Sequence, residues 1–125
     1  PAYERVRAQL QAADAVLIVS PEHNRSMPAA VKNLLDIASR PAGKSLWGGK
    51  KTAVITASPG SYGGINSGLH IRQSLQAMSA DVMIAPEVFL SRAHTALADG
   101  QVSDARTAAF LNKFAAALYA WAQAE

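Results

Sequence analysis

Two hydrophobic periods alternate along this chain. Val6, Leu10 and Ala13 fall at i, i+4 and i+7, one stripe of a helix. The run Ala15-Val16-Leu17-Ile18-Val19 has no polar gaps, is partly β-branched and ends at Ser20-Pro21, which predicts a short strand buried on both faces. Pro28 stands where a first helical turn tolerates proline, and Val31, Leu34, Leu35 and Ala38 form a second stripe that Pro41-Ala42-Gly43 stops. The basic, glycine-containing stretch Lys44 to Lys51 predicts a surface connection. Thr52 to Ala57 reads as a second buried strand, Ser58 to Gly64 as a glycine-rich turn, and Ile71, Leu75 and Met78 as the stripe of a third helix. Val82-Met83-Ile84-Ala85 opens a third extended segment, which Pro86 interrupts and Val88-Phe89-Leu90 continues. Residues 91–103 are polar and turn-prone, with a reversal expected at Asp99-Gly100. Leu111, Phe114, Leu118 and Trp121 mark a last helix.

The order α-β-α-β-α-β-α implies a parallel sheet with helices on both faces. A chain of 125 residues, half of it apolar, has the length of a single domain and enough apolar surface for a core. It contains no run of 18 apolar residues that would span a membrane, and no secretory signal is expected ahead of the first helix. The absence of cysteine excludes disulfides, thiolate catalysis, iron–sulfur clusters and cysteine-based zinc sites within these residues, and is compatible with a reducing cytoplasm, the expected location. The net charge of +3 is spread over scattered basic residues, which favours ordinary solubility over a nucleic-acid surface. His23, His70 and His94 lie too far apart in sequence for a metal-ligand spacing. Because the chain opens Pro1-Ala2-Tyr3 and runs at once into a helical pattern, it is expected to be the remainder of a longer one.

In an open parallel sheet, ligands bind beyond the carboxyl ends of the strands. Two loops with unusual residues fall there. The first, 21–27, holds an acid, a His, an Asn and a Ser, with Pro21 and Pro28 at its ends. Proline at both ends restricts the backbone. A stiff loop with an Asn amide presents fixed donors and acceptors, which suits the edge of a planar heterocycle. The plain alternative is a strand-to-helix turn in which Asn24 or Ser26 caps the helix. The second loop is Ser58-Pro59-Gly60-Ser61-Tyr62-Gly63-Gly64. Its glycines suit either close backbone approach to a ligand or a tight turn.

The first of these segments resembles a known signature. Pro21-Glu22-His23-Asn24-Arg25-Ser26-Met27-Pro28-Ala29-Ala30-Val31-Lys32-Asn33 is similar to the PEYNxSxPxxLKN pattern of the NADPH-dependent FMN reductase family, which includes quinone, azo-dye and chromate reductases. Pro21, Glu22, Asn24, Ser26, Pro28, Lys32 and Asn33 match, and Asp36 matches an acid that commonly follows. Ser58-x-Gly60-x-x-Gly63-Gly64 resembles the second glycine loop of that family. The resemblance implies a flavodoxin-like doubly wound sheet of order 2-1-3-4-5, with strands 3–5 in this chain. On that reading two βα units, roughly 50 to 60 residues, would precede Pro1. It also implies FMN as cofactor and NAD(P)H as electron donor. The flavin ring would lie against Pro21, Glu22, His23, Asn24 and Ser26 on one side and Ser58, Gly60, Gly63 and Gly64 on the other.

The resemblance further implies a small-molecule electron acceptor such as a quinone or azo compound, and a homodimer or homotetramer. No side chain is assigned as a catalytic acid or base, because the cofactor carries the chemistry. Three departures stand out. His23 replaces the usual Tyr, and an imidazole changes charge near neutral pH, so flavin affinity is expected to depend on pH there. Ala29-Ala30 replaces a glycine-containing pair. The family's GSxRxxSxN-like phosphate loop does not occur in residues 1–125.

Two other readings compete. A flavodoxin-like FMN-binding electron carrier would hold flavin without oxidising NAD(P)H itself, although such carriers are usually acidic and this chain is mildly basic. A receiver-like α/β module would need acids at the strand carboxyl ends to hold a metal, where this chain has Ser20 and Ser58.

Overall fold

The computed structural model describes residues 1–124. Its elements run α1 (Ala2–Ala12), β1 (Ala15–Ser20), α2 (Ala29–Ser39), β2 (Lys51–Ala57), α3 (Ile65–Ala77), β3 (Asp81–Val82), β4 (Val88–Leu90), a single turn α4 (Ala93–Ala96), β5 (Leu97–Ala98), β6 (Gln101–Val102) and α5 (Ala105–Gln123). β2 is the central strand. β1 runs parallel along one edge, from Ala15 opposite Lys51 to Ser20 opposite Thr56. β3 and β4 share its other edge, Asp81 opposite Lys51 and Val88 opposite Ile55, also parallel. The expected third strand is thus present but broken in two. The break spans Met83 to Glu87, where Pro86 has no N–H to give to a ladder.

Each face of the sheet carries its own core. On one, Ile18 and Val54 pack with Leu10 of α1, Leu35 and Ala38 of α2, and Ile71 and Leu75 of α3. On the other, Ala53, Ile55, Met83 and Val88 pack against Phe114 of α5. This is the doubly wound, flavodoxin-like arrangement: parallel strands, helices on both faces and short connections. α5 starts where Asp104 accepts from the Thr107 amide at 2.9 Å, satisfying one of the free N–H groups of the first turn. The Thr107 hydroxyl and amide hold the exposed Asp104 carboxyl below its ordinary pKa.

Two expectations are corrected. The stretch 44–51 is not merely a surface connection: Trp47 within it is fully buried and donates its indole N–H to the Leu35 carbonyl at 3.0 Å. β1 is not covered on both faces. Its Val16 and Ile18 face the first core, whereas Leu17 and Val19 remain 43% and 64% exposed, and among the described residues β1 pairs with β2 alone. Of the aromatic residues on α5, Phe114 is buried while Phe110 stays 37% exposed. The reversal at Asp99-Gly100 is a two-residue hairpin joining β5 to β6, with both residues at positive φ (50° and 74°). Among the described residues no helix is long and apolar enough to cross a membrane.

Candidate functional site

Because β1 and β2 are adjacent and parallel, the loops 21–27 and 58–64 leave the sheet side by side at its carboxyl edge. The two candidate loops are therefore neighbours in space.

The first half is a tight turn. His23 and Ser26 exchange both backbone hydrogen bonds, at 2.9 and 3.0 Å, across Asn24 and Arg25. Asn24 (φ 52°) and Arg25 (φ 68°) are both left-handed. Such a turn normally takes Asn-Gly. Asn24 meets that preference, since its short amide tolerates this backbone, and Arg25 does not. The conformation pushes His23, Asn24 and Arg25 outward, and all three side chains are exposed. Ser20, at the end of β1, donates its hydroxyl to the Pro21 carbonyl at 2.8 Å and so steadies the entry. Neither Asn24 nor Ser26 caps α2; Pro28 occupies that position in an extended conformation.

The feet of this turn are fastened to α3. Glu22 Oε1 accepts from the Ser67 amide at 3.1 Å, and the Ser26 hydroxyl bonds His70 Nδ1 at 2.8 Å. Ser67 and His70, three residues apart, lie on one face of the helix. His70 is exposed and stands beside the first loop of the candidate site. No local sequence signal marks it, because its partner lies 44 residues away.

The second half is built by close packing. Gly63 and Gly64 have φ values of 65° and 76°. A side chain on Gly63 would put a carbon 2.5 Å from the Phe89 carbonyl oxygen of β4. One on Gly64 would meet Thr56 at 3.0 Å. Thr56 in turn donates its hydroxyl to the Gly63 carbonyl at 2.7 Å. Ser58 accepts from the Gly60 amide at 3.1 Å, and its own amide donates to Leu90, tying the loop to the end of β4. Gly60 is different: a carbon there would meet only the Ser58 hydroxyl, at 3.6 Å. Beside it Tyr62 is 72% exposed. The loop thus offers open backbone around Gly60 and a flat aromatic side chain at Tyr62, above a base that is closed by the protein's own packing.

The model of the NADPH-dependent FMN reductases matches residues 1–95, and these include both loops. The chain belongs to this family. It is 40% identical over 120 residues to a quinone reductase of Pseudomonas putida, an alignment that covers 96% of this chain and 64% of the relative. It is 38% identical to an NAD(P)H-dependent FMN reductase of Pseudomonas aeruginosa, covering 97% of this chain and 65% of that protein. The chain thus spans just under two thirds of the length of these relatives. Among solved structures, FerB, a flavoenzyme NAD(P)H:(acceptor) oxidoreductase from Paracoccus denitrificans, superposes with a TM-score of 0.89 at 36% identity, over 98% of this chain and 68% of FerB.

For a member of the FMN reductase family, the two loops fit one part of the cofactor. The exposed Asn24 amide offers hydrogen-bonding groups at an accessible edge, as a flavin ring requires. Gly60 offers open space for close approach rather than free polar groups, since its amide donates to Ser58 and its carbonyl accepts from the Arg92 amide at 2.9 Å. A phosphate needs a cradle of convergent N–H groups or cations, and the described residues at this edge do not supply one. The basic residues nearby are engaged or isolated: Lys32 is held by Asp36 at 3.1 Å on the outer face of α2, and Arg25 points to solvent. Clefts elsewhere carry different chemistry. One at the opposite end of the sheet contains Lys50 and Lys51, but both amines are spent on main-chain carbonyls, Lys50 on Ala13 at 2.7 Å and Lys51 on Trp121 at 2.7 Å.

Proposed function

We propose that this chain is the ring-binding part of an NAD(P)H-dependent FMN oxidoreductase that delivers electrons to a quinone or a similar small acceptor. The reading is supported by one conjunction: the Pro21–Pro28 turn and the Ser58–Gly64 loop stand together at the carboxyl edge of two neighbouring parallel strands. The names of the relatives point the same way, since a 2-hydroxy-1,4-benzoquinone reductase of Burkholderia is 38% identical over 116 residues. FMN, when bound, would supply the hydride-accepting and electron-passing chemistry. The chain's own work would be orientation. The left-handed turn would set Asn24 and the backbone of 21–26 along one edge of the ring, and the open backbone at Gly60 would let the second loop approach closely. The acceptor and the nicotinamide would use the same exposed face in turn. The cytoplasm and a homodimer or homotetramer complete the proposal.

The test is steady-state kinetics on protein from the complete reading frame, loaded with FMN. NADPH oxidation that depends on added quinone, with parallel double-reciprocal lines as the acceptor is varied, is the expected result. Intersecting lines would contradict the alternating use of one face. Loaded protein that leaves NADPH unoxidised would instead make it an electron carrier.

A further inference from the structure

The helix that follows the glycine loop has no side-chain cap of its own: Gly64, left-handed, occupies the cap position of α3. Its third amide, Ser67, is nevertheless satisfied, by the Glu22 carboxylate from the other loop. An anion at that place also meets the positive end of the helix dipole. One helical turn further on, His70 holds Ser26. Glu22 and Ser26 bracket the His23–Ser26 turn, so its exposed tip is held at both feet by one face of α3. Two residues that the sequence assigns to flavin contact thus direct their side chains at protein.

We propose that Glu22 is a positioning residue: it caps α3 from the neighbouring loop and thereby sets the 23–26 turn and the glycine loop against each other as one unit. This rests on the flavin-ring reading for its functional consequence, but the coupling itself exists without flavin. Loss of the carboxylate frees the Ser67 amide and one foot of the turn together. The other foot, Ser26–His70, then holds the turn alone, and the two loops no longer share a fixed spacing.

The experiment uses protein from the complete reading frame as wild type, Glu22→Ala, Glu22→Asp and Glu22→Gln. Backbone amide exchange is followed without flavin. FMN is then titrated by fluorescence quenching, and the visible circular dichroism of the bound flavin is recorded, at a temperature where each variant is folded. In Glu22→Ala, the amides of Ser26 and Ser67 should exchange about tenfold faster in step, and FMN should bind about tenfold more weakly, the scale of one lost charge-assisted hydrogen bond. Its flavin dichroism should change shape. Glu22→Asp, too short to reach the same amide, should follow Glu22→Ala, and Glu22→Gln, which keeps an acceptor at the same reach, should recover most of the affinity. A plain stabilising role would lower the melting temperature and leave affinity and dichroism as in wild type, and that result overturns the proposal. If Glu22→Ala does not fold, Glu22→Asp is judged by the same criteria. Wild type that takes up no FMN overturns the flavin reading; exchange of Ser26 and Ser67 then decides the clamp by itself, and independent exchange rejects it.

Discussion

The loop after β1 and the loop after β2 end on the same edge of the sheet but are built from opposite materials. The first is polar, exposed and held by side chains reaching across to α3. The second rests on two buried glycines pressed against the backbone of β4 and the side chain of Thr56. A ligand site needs both accessibility and rigidity. The first loop obtains its rigidity from hydrogen bonds, and the second from packing at its base, leaving residues 59–62 open. Substitutions in the two loops should therefore fail in different ways, one through binding and the other through folding.

The largest expected effect tests that contrast in the second loop. Gly63→Ala places a carbon against the Phe89 carbonyl and forces a side chain into a left-handed backbone. It should cost about 2–5 kcal/mol of stability. Urea unfolding checks this, and a near-wild-type midpoint would show that the base of the loop is not closed by β4. Gly60→Ala comes next and should do the reverse. With open space around it, stability should hold within about 0.5 kcal/mol, while FMN affinity falls about tenfold if the ring needs the bare backbone. A titration at matched stability decides whether the open glycine or the buried pair serves the ligand.

The first loop yields smaller effects. Arg25→Gly relieves the left-handed strain at the second central position of the turn and should stabilise the fold by up to about 1 kcal/mol, after the extra entropy of glycine is subtracted. Loss of stability would mean that the Arg25 side chain contributes more than its backbone costs. Smallest is His23→Tyr. It exchanges an exposed imidazole for the phenol usual at this place in the family, so FMN affinity should shift by about threefold. An unchanged affinity would remove His23 from the ring contact.

Local periodicity makes most of the framework legible in the sequence. Ile71 and Leu75 show a helical stripe, and Thr52 to Ala57 show no break, because each is buried along its length. Trp47 leaves no such trace, because basic and glycine residues surround it and one buried indole makes no period. The exposed Leu17 and Val19 misled in the opposite direction: an apolar run records a strand's composition, not whether its second face is covered. At the site, Asn24 carries its reason in the sequence, as the residue that best tolerates a left-handed turn. The glycines were visible, but what crowds them was not, since Phe89 lies far along the chain. His70 and Ser67 were illegible for the same reason. A cap supplied from another loop has no spacing rule.

The central claim is that a flavin ring is held where these two loops meet. The most direct measurement is a backbone amide shift map of isotope-labelled protein from the complete reading frame, titrated with FMN. The account predicts that, within the present chain, the large shifts fall in 21–26 and 58–64, with smaller ones at Ser67 and His70. Shifts that spare both loops and gather instead in the cleft beside Lys50 and Lys51, or in the apolar groove between β1 and α5, would contradict it.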